Sequence, residues 1–230
     1  IMKHKLIIAI MLLFATVTAH AAGKIYKPWS NGKLKVSDNN LYIIHDNGTP
    51  FFWMGNTAWL LPERLNREEA EYFLAKDREA GYNVEQIQVL NAIPTFNVYG
   101  HQANNAEFDF SKVSKPGVYG YWEHLDYIVD TAERNGIYIA MDCIWGSMLK
   151  QMDIKKAENL GRFLATRYKD KPNIIWMIGG DIMGDRSPEI WDAMARAIKK
   201  IDKNHIMTFH PRGRTTSAWW YNDREWMDFN

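Results

Sequence analysis

Gly179-Gly180-Asp181 is the stretch of this 230-residue chain where residue type and spacing point most directly to chemistry. It follows the apolar run Ile174 to Ile178, which has the length of a strand. Two glycines after such a run let the backbone turn tightly, come close to a ligand and present one carboxylate at the strand end. Cleavage of a glycosidic bond uses two carboxyl groups flanking the scissile bond, one of them a general acid with a raised pKa. Asp181 fits that acid; the alternative is a cap on the following turn, with Asp185 or Ser187 as partner. Asp142 sits inside another apolar run, where either a mouth carboxylate or a buried ion pair would suit it. Other run ends carry Asn56 and Trp59, Gln88 and Asn91, Trp145, and His210 with Arg212. Amides and carboxylates satisfy sugar hydroxyls, and aromatic faces take the apolar face of the ring. Each Trp fits a core equally well, and Gln88 or His210 equally fits a satisfied structural role. Asp181 is therefore the candidate catalytic residue, and Asn56, Trp59, Gln88, Asn91, Trp145 and His210 are the candidate substrate-binding residues.

Other chemistries find less support. The seven histidines and the single Cys143 show no H-E-x-x-H, H-x-x-E-H or paired-cysteine spacing, so no metal is expected. There is no G-x-S-x-G elbow, no G-x-G-x-x-G or phosphate-loop motif after the first strand, and no Lys at a strand end for a lyase or aldolase. No cofactor is expected. Lys and Arg number 28 against 27 Asp and Glu, with no block of one sign, which leaves no electrostatic footprint for nucleic acid. Hydrophobic residues at 47% and charged residues at 24% exclude a disordered or collagen-like chain and allow a sizeable core.

The elements that must position these residues follow from periodicity. Short β-prone runs separated by Asp38-Asn39-Asn40 and Asp46-Asn47-Gly48 predict hairpin structure over 33–50, feeding a strand at Phe51 to Met54. Asn66 with Glu69 three residues on predicts a helix start, and Gly81 its stop. Strand and helix then alternate: strands at 84–90, 137–144, 174–178 and 206–209, with helices lined by Tyr121 to Ala132, Ala157 to Tyr168, and Trp191 to Ile198. Trp226 to Asn230 has the pattern of a sixth strand beginning. Without a doubly wound fingerprint, this βα alternation predicts an α/β fold of (β/α)8 barrel type, incomplete at about six strands.

Residues 1–21 carry Lys3 and Lys5, an apolar run from Leu6 to Phe14, and Ala19-His20-Ala21, the pattern of a cleaved secretory signal. The apolar run is too short for a membrane anchor. The expected organisation is a signal peptide at 1–21, a β extension at 22–50 and the incomplete barrel at 51–230, with a secreted or periplasmic location.

Three motifs in this order carry a resemblance: Phe51-Phe52-Trp53-Met54-Gly55-Asn56-Thr57-Ala58-Trp59, Gly81-Tyr82-Asn83-Val84 leading to Ile87-Gln88, and Trp176-Met177-Ile178-Gly179-Gly180-Asp181. From about Lys33 to Asn230 the chain resembles the apiosidase-like glycoside hydrolases, family 140, whose catalytic domain is also called DUF4038. The resemblance implies a secreted (β/α)8 enzyme of gut-type bacteria acting on pectin, with apiose-linked side chains of rhamnogalacturonan II as substrate. It implies that Asp181 is the acid/base and that the partner Glu follows a later strand, with no counterpart here. An inactive fragment is then expected. The family usually has Asp where this chain has Asn56, which leaves a non-catalytic carbohydrate- or matrix-binding protein as the alternative.

Overall fold

The computed structural model describes residues 25–110 and 117–230; the expected signal segment lies outside them, as do residues 22–24 of the extension. Three short strands, β1 (Leu34–Val36), β2 (Ile43–His45) and β3 (Pro50–Phe51), form an antiparallel sheet in sequential order. Five more form a parallel sheet, also in sequential order: β4 (Gly55–Thr57), β5 (Val84–Gln88), β6 (Tyr138–Asp142), β7 (Ile174–Ile182) and β8 (Met207–Pro211). The helices are α1 (Leu61–Arg64), α2 (Arg67–Ala80), α3 (Tyr121–Asn135), α4 (Ile154–Tyr168), α5 (Pro188–Ile201) and α6 (Ala218–Tyr221).

Local chemistry sets the helix ends. The Asn66 side chain accepts from the Glu69 N–H, and Glu69 accepts from the Asn66 N–H, both at 2.9 Å, so α2 starts in a closed capping box. It stops at Gly81, whose φ of +93° is one that a glycine adopts without strain. Asp153 caps α4 by accepting from the Lys156 N–H at 2.8 Å.

Strand order and face use together define the architecture. One core joins the helix residues Leu74, Leu125, Leu160 and Trp191 to Ile87, Ile139, Trp176 and Phe209 of the sheet. The other joins Val84, Tyr138, Ala140, Ile175 and Met177 of the opposite face to Leu34 and Phe51 of the extension, and contains no α-helical residue. A parallel sheet whose strands add in sequence, with every helix on one face, is the wall of a (β/α)8 barrel; a doubly wound sheet reverses its order and carries helices on both faces.

Two boundaries differ from expectation. Phe51 does not open the first barrel strand. It pairs antiparallel with Ile43, its ring packs edge-on against Tyr138 at 5.3 Å, and the barrel strand begins at Gly55. An apolar run such as Phe51 to Met54 does not say which sheet it joins. Trp226–Asn230 lies beside β8, with the Asp228 N–H donating to Met207 O at 2.9 Å and Thr208 Oγ1 to Phe229 O at 2.7 Å, but no ladder forms. Among the described residues the barrel sheet therefore has five strands.

Candidate active site

Parallel strands bring all their C-terminal ends to one rim, so residues far apart in sequence converge there. Gln88 ends β5 and is the register partner of Asp142, which ends β6. Both lie in phase with Val84, Tyr138 and Ala140, on the face turned away from the helices. Asp142 thus faces the barrel interior, the question its apolar neighbours left open. It is fully buried, and neither carboxyl oxygen has a hydrogen-bond partner. Burial pushes its carboxyl well above the usual carboxylate range, and the charge of Asp181 adds to the shift. Burial thus favours the protonated form of Asp142, which lies close enough to Asp181 to feel its charge.

Asp181 reaches the rim through a backbone distortion. Gly179, Gly180 and Asp181 have φ values of +121°, +90° and +52°, and the β7–β8 register shifts between Gly179 and Ile182. Gly179 pairs with His210 and Ile182 with Pro211, so Gly180 and Asp181 bulge out of the ladder. Only glycine fits at the first two positions. A Cβ on Gly179 would collide with the His210 carbonyl, and one on Gly180 would lie 2.5 Å from a ring carbon of Trp145. The outcome is an exposed carboxylate at the strand end.

Three predicted aromatic residues gather next to it. Ring centroids lie 5.2 Å apart for Trp59 and Trp145, 5.3 Å for Trp59 and His210, and 5.5 Å for Trp145 and His210. The His210 ring accepts at Nδ1 from the Asp181 N–H, 3.2 Å away, and the Gln88 N–H donates to Trp59 O at 2.8 Å. Asp181, His210, Trp59, Trp145 and Gln88 therefore form one assembly.

Two predicted residues stand apart from it. Asn56 is turned to the helix layer, where its Nδ2 donates to Asp77 of α2 at 2.9 Å; this corrects its placement in the mouth. Its register partner Glu85 points the same way. Asn91 lies beside Glu63 of α1 and helps hold that carboxyl ionised against the stronger upward push of burial.

Sequence reasoning placed Arg212 at a strand end but missed Lys150 and Arg186, which share a groove with it. This groove of about 730 Å³ opens beside Asp181, lined by Gly146, Ser147, Lys150, Arg212 and an Arg186 that pairs with Asp185 at 3.9 Å. These residues come from the loops after β6, β7 and β8, and no spacing in the sequence announces that they meet. Among the described residues, no group of three or more His, Cys, Asp and Glu side chains is placed to hold a metal ion, and no helix is long and apolar enough to cross a membrane.

An exposed acid at a strand end, a buried acid near it, two indoles and a groove of mixed charge on the rim of a parallel barrel wall have the architecture found in barrel-type glycoside hydrolases. The family is narrower. The model of the apiosidase-like catalytic domain matches residues 37–230, and the chain belongs to that family. Among solved structures, a glycoside hydrolase family 5 protein from Bacteroides vulgatus is 57% identical, with a TM-score of 0.88 over 90% of this chain and 46% of its own. A second structure, described as a glycoside hydrolase, has the same identity and TM-score over 90% of this chain and 47% of its own. The chain thus spans about half the length of these relatives. An endo-1,4-beta-mannanase from Rhizomucor miehei, 16% identical with a TM-score of 0.58 over 86% of this chain and 67% of its own, shares the fold. No curated protein matches the chain.

Proposed function

We propose that this chain is the acid-bearing part of a secreted or periplasmic glycosidase that cleaves pectic, apiose-containing plant cell-wall glycans. The observation that carries this reading is the exposed Asp181 carboxyl, thrust from the end of β7 over the groove; the resemblance to the family assigns it the acid/base role. As general acid, Asp181 gives its proton to the glycosidic oxygen as the bond to the sugar breaks, and as base it takes a proton back from water. The reaction needs a second carboxyl group across the scissile bond, and its separation from Asp181 sets whether configuration is retained or inverted. Trp59 and Trp145 take sugar faces, while Lys150 and Arg212 favour the uronic acids in which pectin is rich.

The alternative, a non-catalytic carbohydrate-binding protein, draws on Asn56. That side chain faces α2, so its identity leaves the mouth unchanged. The test is Asp181→Asn in the full-length enzyme on pectic oligosaccharides. Turnover should fall by about 10²- to 10⁴-fold, and least on aryl glycosides whose leaving group needs no proton. Unchanged turnover of the natural glycan removes Asp181 as the acid.

A further inference from the structure

The Asp181 backbone has left the ladder, and this creates a need that one side chain meets. Between Gly179↔His210 and Ile182↔Pro211 the partner strand supplies no extra residue, and so no carbonyl in register to accept from the bulge. The Asp181 N–H is left without a strand partner, on a residue held at φ +52°, where a non-glycine residue is strained. His210 Nδ1 accepts it at 3.2 Å. The ring cannot easily turn away, because Trp59 meets it edge-on and Trp145 lies tilted against it.

We infer that His210 is a positioning residue for the acid: its unprotonated Nδ1 ties down the Asp181 amide and so fixes where the Asp181 carboxyl stands. The inference rests on the acid role proposed for Asp181. An amide N–H only donates, so Nδ1 must accept, and the ring proton sits on Nε2. Burial favours the neutral ring by lowering its pKa, opposed by the charge of Asp181, near which lies the buried Asp142. The exposed Arg212, two residues further along the chain, lines the groove. A His that bound only substrate would have no reason to keep Nδ1 bare toward the backbone.

Asparagine presents its side-chain oxygen near the place of Nδ1, whereas glutamine reaches toward the place of Nε2, so the two isolate the bond. In the full-length enzyme, His210→Gln should lower kcat by about 10²-fold with little change in KM, the scale of a displaced catalytic group. His210→Asn should recover at least about ten-fold of that loss. Equal kcat in the two variants, or a loss confined to KM, overturns the proposal. Ring ¹⁵N NMR of the wild type supplies a readout independent of turnover. It should show the Nε2–H tautomer at neutral pH, with the Asp181 amide protected from exchange and that protection lost in His210→Gln. A proton on Nδ1 or an unprotected amide overturns the inference. A wild type that cleaves no glycoside defeats the acid role instead, and the NMR result still decides whether His210 holds the bulge.

Discussion

Glu85 shows how much a single side chain can cost a fold. It is fully buried on β5 and faces Asp77 of α2, to which Asn56 also donates. Burial, with the Asp77 carboxyl close by, pushes the Glu85 carboxyl up to about 9 from an ordinary 4.5. The folded state holds a proton that the unfolded chain releases near pH 4.5. Stability is therefore full below pH 4.5 and declines as pH rises toward about 9. At pH 7 the penalty is on the order of 3 kcal/mol, the distance from 4.5 at about 1.4 kcal/mol per pH unit. Glu85→Gln keeps the shape and a donor toward Asp77. It is expected to raise Tm at pH 7 and flatten the pH dependence, as read by thermal melts across that range; a lower Tm at pH 7 would mean that Glu85 is ionised in the fold. Asp142 follows the same sign by burial, and Asp142→Asn should likewise be tolerated or stabilising at neutral pH. Chemical denaturation of that variant is the check.

At the scale of elements, the decisive feature is the bulge in β7. It brings the loops after β6 and β7 into backbone contact, since Gly146 and Gly180 have no Cβ and their chains approach too closely for one. That contact sets Trp145 beside the turn carrying Asp181. Gly180→Ala meets both a φ of +90° and the Trp145 ring 2.5 Å away, whereas Gly48 has a similar φ of +86° with nothing within 4 Å. The Gly48→Ala variant should cost only backbone strain, about 1–2 kcal/mol. Gly180→Ala should cost about 1–3 kcal/mol more, with a shift in tryptophan fluorescence as Trp145 moves. Equal losses in the two variants, measured by denaturant unfolding, would mean that the loops are not in contact.

For the whole molecule, the extension and the barrel wall share a core. Leu34 and Phe51 bury against Val84, Tyr138 and Ile175, on the face that no α-helix covers. The Phe51 ring meets His45, Trp53 and Tyr138 edge-on, at centroid distances of 5.8, 6.5 and 5.3 Å. The small sheet therefore plugs the end of the barrel opposite the site. Phe51→Ala is expected to destabilise by about 3–5 kcal/mol, the usual range for losing a buried ring. A loss under about 1 kcal/mol in equilibrium unfolding would show that the extension is not part of the barrel core.

The sequence alone determined what is local. Helix α2 was legible from Asn66, Glu69 and Gly81 because a cap is a matter of residues three apart, and the βα alternation was legible because a period repeats within each element. Asp181 stood out for the same reason, by the glycines beside it. Long-range pairing decided the rest. Phe51 joined the hairpin because Ile43 and Tyr138 offered it partners, and Asn56 turned from the mouth because strand β4 sets alternate side chains on opposite faces and Asp77 waits on one of them. Asp142 faced inward by register with Gln88, and His210 found the Asp181 amide only because β8 lies beside a bulge in β7. Lys150, Arg186 and Arg212 share a groove because the loops after three parallel strands end on one rim, and no stretch of chain holds that information by itself.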